Sequence, residues 1–370
     1  MDIEGNKNDP DSLKKSLEID TKESENQAGK SQVKSLLCAL MAGMCFAVAN
    51  YILGNNSRLG MLTREASENG SLVFTFLYAI YLLIQSIRHG KSFWRWQDSN
   101  FCNPETGGFY WTNFFGACIY TLINCAAGFG VIFTFQYALY GNMNQGILTS
   151  LFGLSSIFSA ILAYYAFGDR LKIFHVLGMI LMLICIIGLG FGSTKNMSSP
   201  GVESDSSNPI AMALIAVLFG ILSPVLFALG GLTVRYYNTH YNFDAFDMTI
   251  TMYILDNIIL IIAMIFTYKY GSHPFILSEY TEIVASGFVA CIGVVLLNQA
   301  ITSGLAGPVF ALANVQVVIQ TILDAVLLGN IPTLIEIISA TFGILGCCTI
   351  AVGPQIYKKF NDIFYKQKSE

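Results

Sequence analysis

The chain has 370 residues, 54% of them hydrophobic and only 12% charged, whereas a soluble domain carries about a quarter charged residues. A net charge of −4 is too mild to mark a nucleic-acid binder. Nine cysteines without a CxxC pair or a Cys/His cluster suggest neither a disulfide framework nor a zinc site, and they read as small apolar residues.

The first 34 residues hold eight acids and six lysines with few large apolar residues, and they read as a disordered tail. No cleavable signal segment is expected before residue 35, so the first helix would serve as its own insertion signal. From there, runs of about 20 apolar residues, each enough for a bilayer crossing, recur at 35–54, 70–88, 112–138, 143–166, 171–192, 210–234, 247–268, 282–303, 306–328 and 333–353. The expected fold class is therefore all-α, a membrane protein of ten transmembrane helices. Trp94, Trp96 and Trp111 bracket the loop between the second and third spans. Beside basic residues they suit interface anchoring, with partner docking as the alternative. Pro224 interrupts the sixth span, either as a gate or as passive curvature.

With ten crossings and a cytosolic N-terminus, 16 of the 20 Lys and Arg residues fall on the cytosolic side, as the positive-inside rule requires. Arg58, Arg64, Lys195 and Lys269 fall opposite, and no Lys or Arg lies inside any expected span, Arg88 and Lys172 sitting at span ends. The N-x-S/T sequons at Asn55, Asn69 and Asn196 are all placed in loops on that opposite side. The C-terminal segment 355–370 is then a second cytosolic tail.

Polar residues inside the spans nominate a cavity. Gln316, Gln320 and Asp324 are spaced four apart and share one helix face. Asp256 lies midway along the seventh span, where an ionised acid costs roughly 3 kcal/mol or more unless paired or protonated. It reads either as an ion-coupling group or as a neutral acid bonded to Asn257 or a backbone carbonyl. Asn50, Asn124, Gln136, Asn298 and Gln299 are further cavity candidates, while Asn314 is offset from the glutamine stripe and is assigned to packing. Glu336 and His175, near helix ends, are read as interfacial packing.

The chain also repeats internally. A shift of 161 residues superposes Gly146 on Gly307, Gly168 on Gly329 and Gly192 on Gly353. The same shift sets Ser155 and Ser159 against Gln316 and Gln320. The serines thus join the cavity candidates, with hydrogen bonding to neighbouring helices as the plainer role. Each half holds five helices, and an odd number makes the second half enter from the other face, the inverted plan of many secondary transporters.

The segment "FTFQYALYGNMNQGILTSLFGLSSIFSAILAYYAFGDRLKIFHVLGMILMLICIIGLG" and its second copy, "LLNQAITSGLAGPVFALANVQVVIQTILDAVLLGNIPTLIEIISATFGILGCCTIAVG", resemble EamA-type repeats of the drug/metabolite transporter superfamily. That group includes the solute carrier 35-like and nucleotide-sugar transporters. The resemblance spans about 35–354 and implies two inverted five-helix repeats, 35–192 and 210–354, joined by a loop at 193–209. It implies that the fourth and ninth helices cross near a central cavity walled by the first, third, sixth and eighth. The second Gly-acid-basic turn departs from the pattern, reading "GNIPT" at 329–333.

The expected function is secondary transport of a small metabolite by alternating access. The absence of a cation from the spans favours a neutral, zwitterionic or cationic substrate. A nucleotide-sugar transporter and a transport-inactive scaffold or receptor are the alternatives. An intramembrane aspartyl protease using Asp256 and Asp324 lacks the Gly-x-Gly-Asp context, and "GLGFG" at 188–192 follows no strand. The expected partners are the substrate, the lipid bilayer and a second copy in a homodimer, with no nucleic acid, no cofactor and no metal. Plasma membrane and endomembrane are both open.

Overall fold

A computed structural model describes residues 32–53, 56, 61–89, 99–103, 105–141, 151–192, 209–270, 277–327 and 333–369. The described chain is helical throughout, apart from turns and one isolated bridge between Cys102 and Phe109. The helices are α1 (Gln32–Leu53), α2 (Met61–His89), α3 (Trp111–Tyr140), α4 (Ser155–Phe167), α5 (Ile173–Gly192) and α6 (Pro209–Tyr241). They continue as α7 (Ala245–Tyr270), α8 (Leu277–Ser303), α9 (Ala306–Ala313), α10 (Gln316–Leu327) and α11 (Leu334–Ser369). Among the described residues, seven segments are long and apolar enough to cross a membrane, with α9 and α10 counted together as one. Three shorter apolar helices, 152–167, 173–188 and 334–350, complete the described bundle.

The exterior is the reverse of a soluble protein's. Phe76, Ile87, Ile173 and Ile210 are among many large apolar side chains that face outward, and Ile173 is 73% exposed. Such a belt suits hydrocarbon rather than water. With the apolar spans, it marks the chain as an integral multi-pass membrane protein.

Where helices meet, small residues let their backbones approach. A Cβ on Gly178 of α5 would lie 2.9 Å from the carbonyl oxygen of Gly346 in α11, and the reverse substitution meets the same distance. Gly70 of α2 and Gly287 of α8 meet their partners' backbones just as closely. Six packings organise the described bundle. Helices α3 and α6 run antiparallel, as Gly116 against Tyr237 and Gly130 against Ser223 show, and α1 runs antiparallel to α8 through Phe46 and Gly293. Helix α2 packs on α8, and α7 on α3. Helix α4 crosses α9, with Ala160 against Gly307, and α5 lies along α11.

Three expectations about helix boundaries are corrected. Helix α2 begins at Met61, not near residue 70. The polar run "TREASEN" is rich in helix formers, and Arg64 and Glu68, four apart, pair on one face, so the helix persists where hydropathy ends. Asn69 therefore lies within α2 and not in a loop, and its amide donates to the Glu65 carbonyl oxygen at 3.3 Å. Helix α6 runs past residue 234 to Tyr241, which brings Arg235 into it. The ninth span is interrupted at Asn314 and Val315. The other two sequons, Asn55 and Asn196, and Trp94 and Trp96 lie outside the described residues; Trp111 opens α3 and is 60% exposed.

The two readings of Glu336 and His175 resolve into helix starts. The Thr333 backbone N–H donates to Glu336 Oε2 at 2.6 Å, a capping box at the head of α11. Lys172 N–H donates to His175 Nδ1 at 3.4 Å at the head of α5, with the same three-residue spacing.

Candidate functional site

Two chambers open inside the bundle, with about 840 and 760 Å³ of space between atoms, part of it open to the outside. They share Phe46, Asn50, Asn124, Val131, Phe227 and Val294, from α1, α3, α6 and α8. These are the four helices from which a central cavity was expected.

The larger chamber is mostly apolar, with Phe152, Phe310 and Leu297 among its walls and a few amides between them. Asn50 Nδ2 donates to Gln316 Oε1 at 3.1 Å, joining α1 to the head of α10. Asn298, buried on α8, donates to Tyr120 Oη at 2.6 Å and Thr249 Oγ1 at 2.8 Å. Asn314, expected to pack, lines the chamber and also donates to the Gly153 carbonyl oxygen at 3.3 Å. It sits at the break between α9 and α10, and Gly153 sits in the 3₁₀ turn Phe152–Leu154 that leads into α4. The two residues are 161 apart, the offset of the repeat.

The smaller chamber holds charge. Helix α2 presents Arg64, Ser67, Glu68 and Ser71 to it. The Arg64 guanidinium pairs with Glu68 on its own helix and donates through Nη2 to Asp256 Oδ2 of α7 at 3.1 Å. Asn124 of α3 donates to the same oxygen at 3.4 Å. The side chains are 13%, 7% and 0% exposed for Arg64, Glu68 and Asp256. Burying two carboxylates and one guanidinium is tolerable only because they pair. Even so, Asp256 Oδ1 and Arg64 Nε are buried with no hydrogen-bond partner among the described residues.

This arrangement corrects the reading of the charges. A cation does lie inside a span, because α2 starts nine residues earlier than hydropathy indicated. The preference for neutral, zwitterionic or cationic substrates loses its premise. Asp256 lines neither chamber and bonds to Arg64 and Asn124, rather than to Asn257 or a backbone carbonyl. Its geometry is that of a group that positions Arg64.

The other candidates divide. Asn50, Asn124, Asn298, Ser155 and Gln316 line a chamber. Ser159 is buried but donates to the Ser156 carbonyl oxygen, and Gln136 donates to Tyr140 Oη near the surface of α3. Neither of these, nor Gln299 nor Gln320, lines either chamber. Asp324 falls in α10, and its side chain lies outside those described. Pro224 is buried within α6, one turn before Phe227 of the shared wall. Arg64, Glu68, Ser67 and Ser71 were not anticipated. The signal was the spacing of Arg64 and Glu68 beside good helix formers.

A second ion pair stands elsewhere. Arg235 of α6 donates to both oxygens of Asp169, at 2.6 and 2.9 Å, in the turn after α4. Its guanidinium also lies 4.5 Å above the Phe167 ring.

No family model matches the chain, and no curated protein matches it. A solved crystal structure described only as that of a protein superposes with a TM-score of 0.58 at 14% identity, covering 86% of this chain and 96% of its own. At that identity, the likeness shows a shared fold alone.

Proposed function

We propose that this chain is a secondary active transporter that moves a small polar metabolite by alternating access through the central cavity. The observation that carries the reading is the pair of joined chambers, lined by amides and an ion-paired arginine, inside a bundle whose exterior is apolar. Such polarity in a membrane interior marks a solute path more often than a structural need.

An inverted repeat of two five-helix halves, 35–192 and 210–354, is part of the proposal, with α9 and α10 as one interrupted crossing. The packing of the helices supports it. Exchanging each helix for its counterpart five crossings on turns α3 with α6 into α8 with α1, and α2 with α8 into α7 with α3, while α4 with α9 and α5 with α11 map onto themselves. Matching caps at 172–175 and 333–336 and matching irregular turns at 152–154 and 314–315 fall at the same offset of 161. Resemblance to EamA-type repeats points the same way. Both termini are assigned to the cytosol from the basic-residue asymmetry, which sharpens once Arg64 is counted inside the membrane.

Purified protein in sealed vesicles should carry metabolites across in a saturable manner, read as radiolabel uptake from a panel spanning charge classes. Binding without flux would make the chain a receptor on a carrier fold.

A further inference from the structure

Among the described residues, the ion cluster at the charged chamber has one more carboxylate than cations to pair it. Arg64 is shared by Glu68 and Asp256, and the two acids are not equivalent. Asp256 is fully buried behind the guanidinium and lines no chamber, whereas Glu68 lines the smaller chamber beside Arg64. Glu68 therefore occupies the place on Arg64 that an anion arriving through the cavity would take.

The surroundings of Glu68 suit a group that gains and loses a proton. Ser71 Oγ lies 2.7 Å from the Glu68 backbone carbonyl oxygen, 2.8 Å from Glu68 Oε2 and 2.5 Å from Asn257 Oδ1. The hydroxyl has one hydrogen and cannot donate to all three. If Ser71 donates to Asn257 or to the Glu68 carbonyl oxygen, a bond between Ser71 and the Glu68 carboxyl requires a proton on the carboxyl. If the Asn257 amide is turned over, its Nδ2, which has no partner among the described residues, donates to Ser71, which then donates to an ionised Glu68. One serine and one amide can thus serve both protonation states with small rotations. The other titratable groups around the cluster are Glu65 on α2, Tyr253 on α7, Cys125 on α3 and Cys291 on α8. Glu65 is buried but lines neither chamber, and the phenol and thiols are neutral near pH 7.

We propose that Glu68 is a proton site that substitutes for a substrate anion on Arg64. Proton uptake turns the Glu68 carboxylate into a carboxylic acid and loosens its hold on Arg64 Nη1. A substrate carboxylate then takes that N–H, while Asp256 and Asn124 keep the guanidinium aimed at the chamber. One proton and one anion enter together and leave together. The triad with an empty site and the triad with a loaded one carry the same net charge, because the proton cancels the added carboxylate. The larger chamber, with Phe46, Phe227 and Phe310, would hold an apolar body. The substrate class is an organic monocarboxylate. The inference rests on the carrier reading for its purpose but concerns a binding equilibrium that can be measured without transport.

Benzoate is the probe, with benzamide and phenyl phosphate as uncharged and dianionic controls. Titration calorimetry on the full chain in detergent, in buffers of different ionisation enthalpy, counts protons taken up with the ligand. About one proton per benzoate is expected, with affinity falling about tenfold per pH unit above the Glu68 titration. Glu68→Gln should bind benzoate with no proton uptake and no pH dependence across about pH 5 to 8. Arg64→Lys should weaken benzoate at least tenfold through loss of the planar donor pair. An unchanged melting temperature for Glu68→Gln keeps misfolding out of the comparison. Failure of benzoate to bind, binding without proton uptake, a Glu68→Gln variant that still takes up the proton, equal binding of benzamide, or preference for phenyl phosphate would each overturn the proposal. Proton-linked binding without benzoate flux in vesicles would keep the site and sink the carrier, and flux without a proton link would do the reverse.

Discussion

Arg64 and Arg235 each lie in an apolar helix and each reach an aspartate far away in sequence, but their settings differ. Arg235 meets Asp169 with two parallel bonds and rests on Phe167, so both carboxylate oxygens and one guanidinium face are used. Arg64 is divided between two acids, and an oxygen of one acid and a nitrogen of its own stay buried without partners among the described residues. A fully matched pair costs little to keep and has one low-energy arrangement. An unevenly matched cluster has several, differing by where a proton or a ligand sits. The first holds the turn after α4 against α6; the second is where chemistry can change state.

Removing Arg64 should produce the largest effect. Arg64→Met leaves Asp256 charged and unpaired in the membrane interior, and unfolding in mixed micelles should show a loss of about 3–5 kcal/mol. Arg64→Met combined with Asp256→Leu should recover most of it. If the single variant is as stable as the parent, the cluster is hydrated and the contrast with Arg235 collapses.

Asp169→Ala should cost less, about 1.5 kcal/mol, near the low end for a charge-assisted bond, because Arg235 is 16% exposed and keeps its contact with Phe167. The same variant should leave substrate binding unaltered in equilibrium titrations. A drop in binding there would move the matched pair from support into the working site.

Gln136→Ala should change least, within about 0.5 kcal/mol in stability and with no change in flux, because its bond to Tyr140 lies near the surface and outside both chambers. A clear defect would show that the path extends along the outer face of α3.

These contrasts also show how much was readable in advance. Apolar length located the helices, and an acid in mid-span drew attention to Asp256. Its partner was out of reach, because Arg64 lies 192 residues away and hydropathy placed it in a loop. Charge lowers hydropathy where a helix lines a cavity, so apolar length misses the charged residues that line it. Polar identity alone could not tell Asn298, which faces the chamber, from its neighbour Gln299, which does not. Nor did it show that the glutamine stripe turns away after Gln316, since orientation depends on how α10 packs after the break at Asn314.

The wall shared by the two chambers has a consequence for order of events. Phe46 and Phe227, with Asn50 and Asn124, stand between the apolar space and the charged one. A solute crossing from one to the other meets girth before it meets charge. On the carrier reading, two filters in series would select more sharply than either alone, since an anion that does not fit past Phe46 and Phe227 would never compete for Arg64.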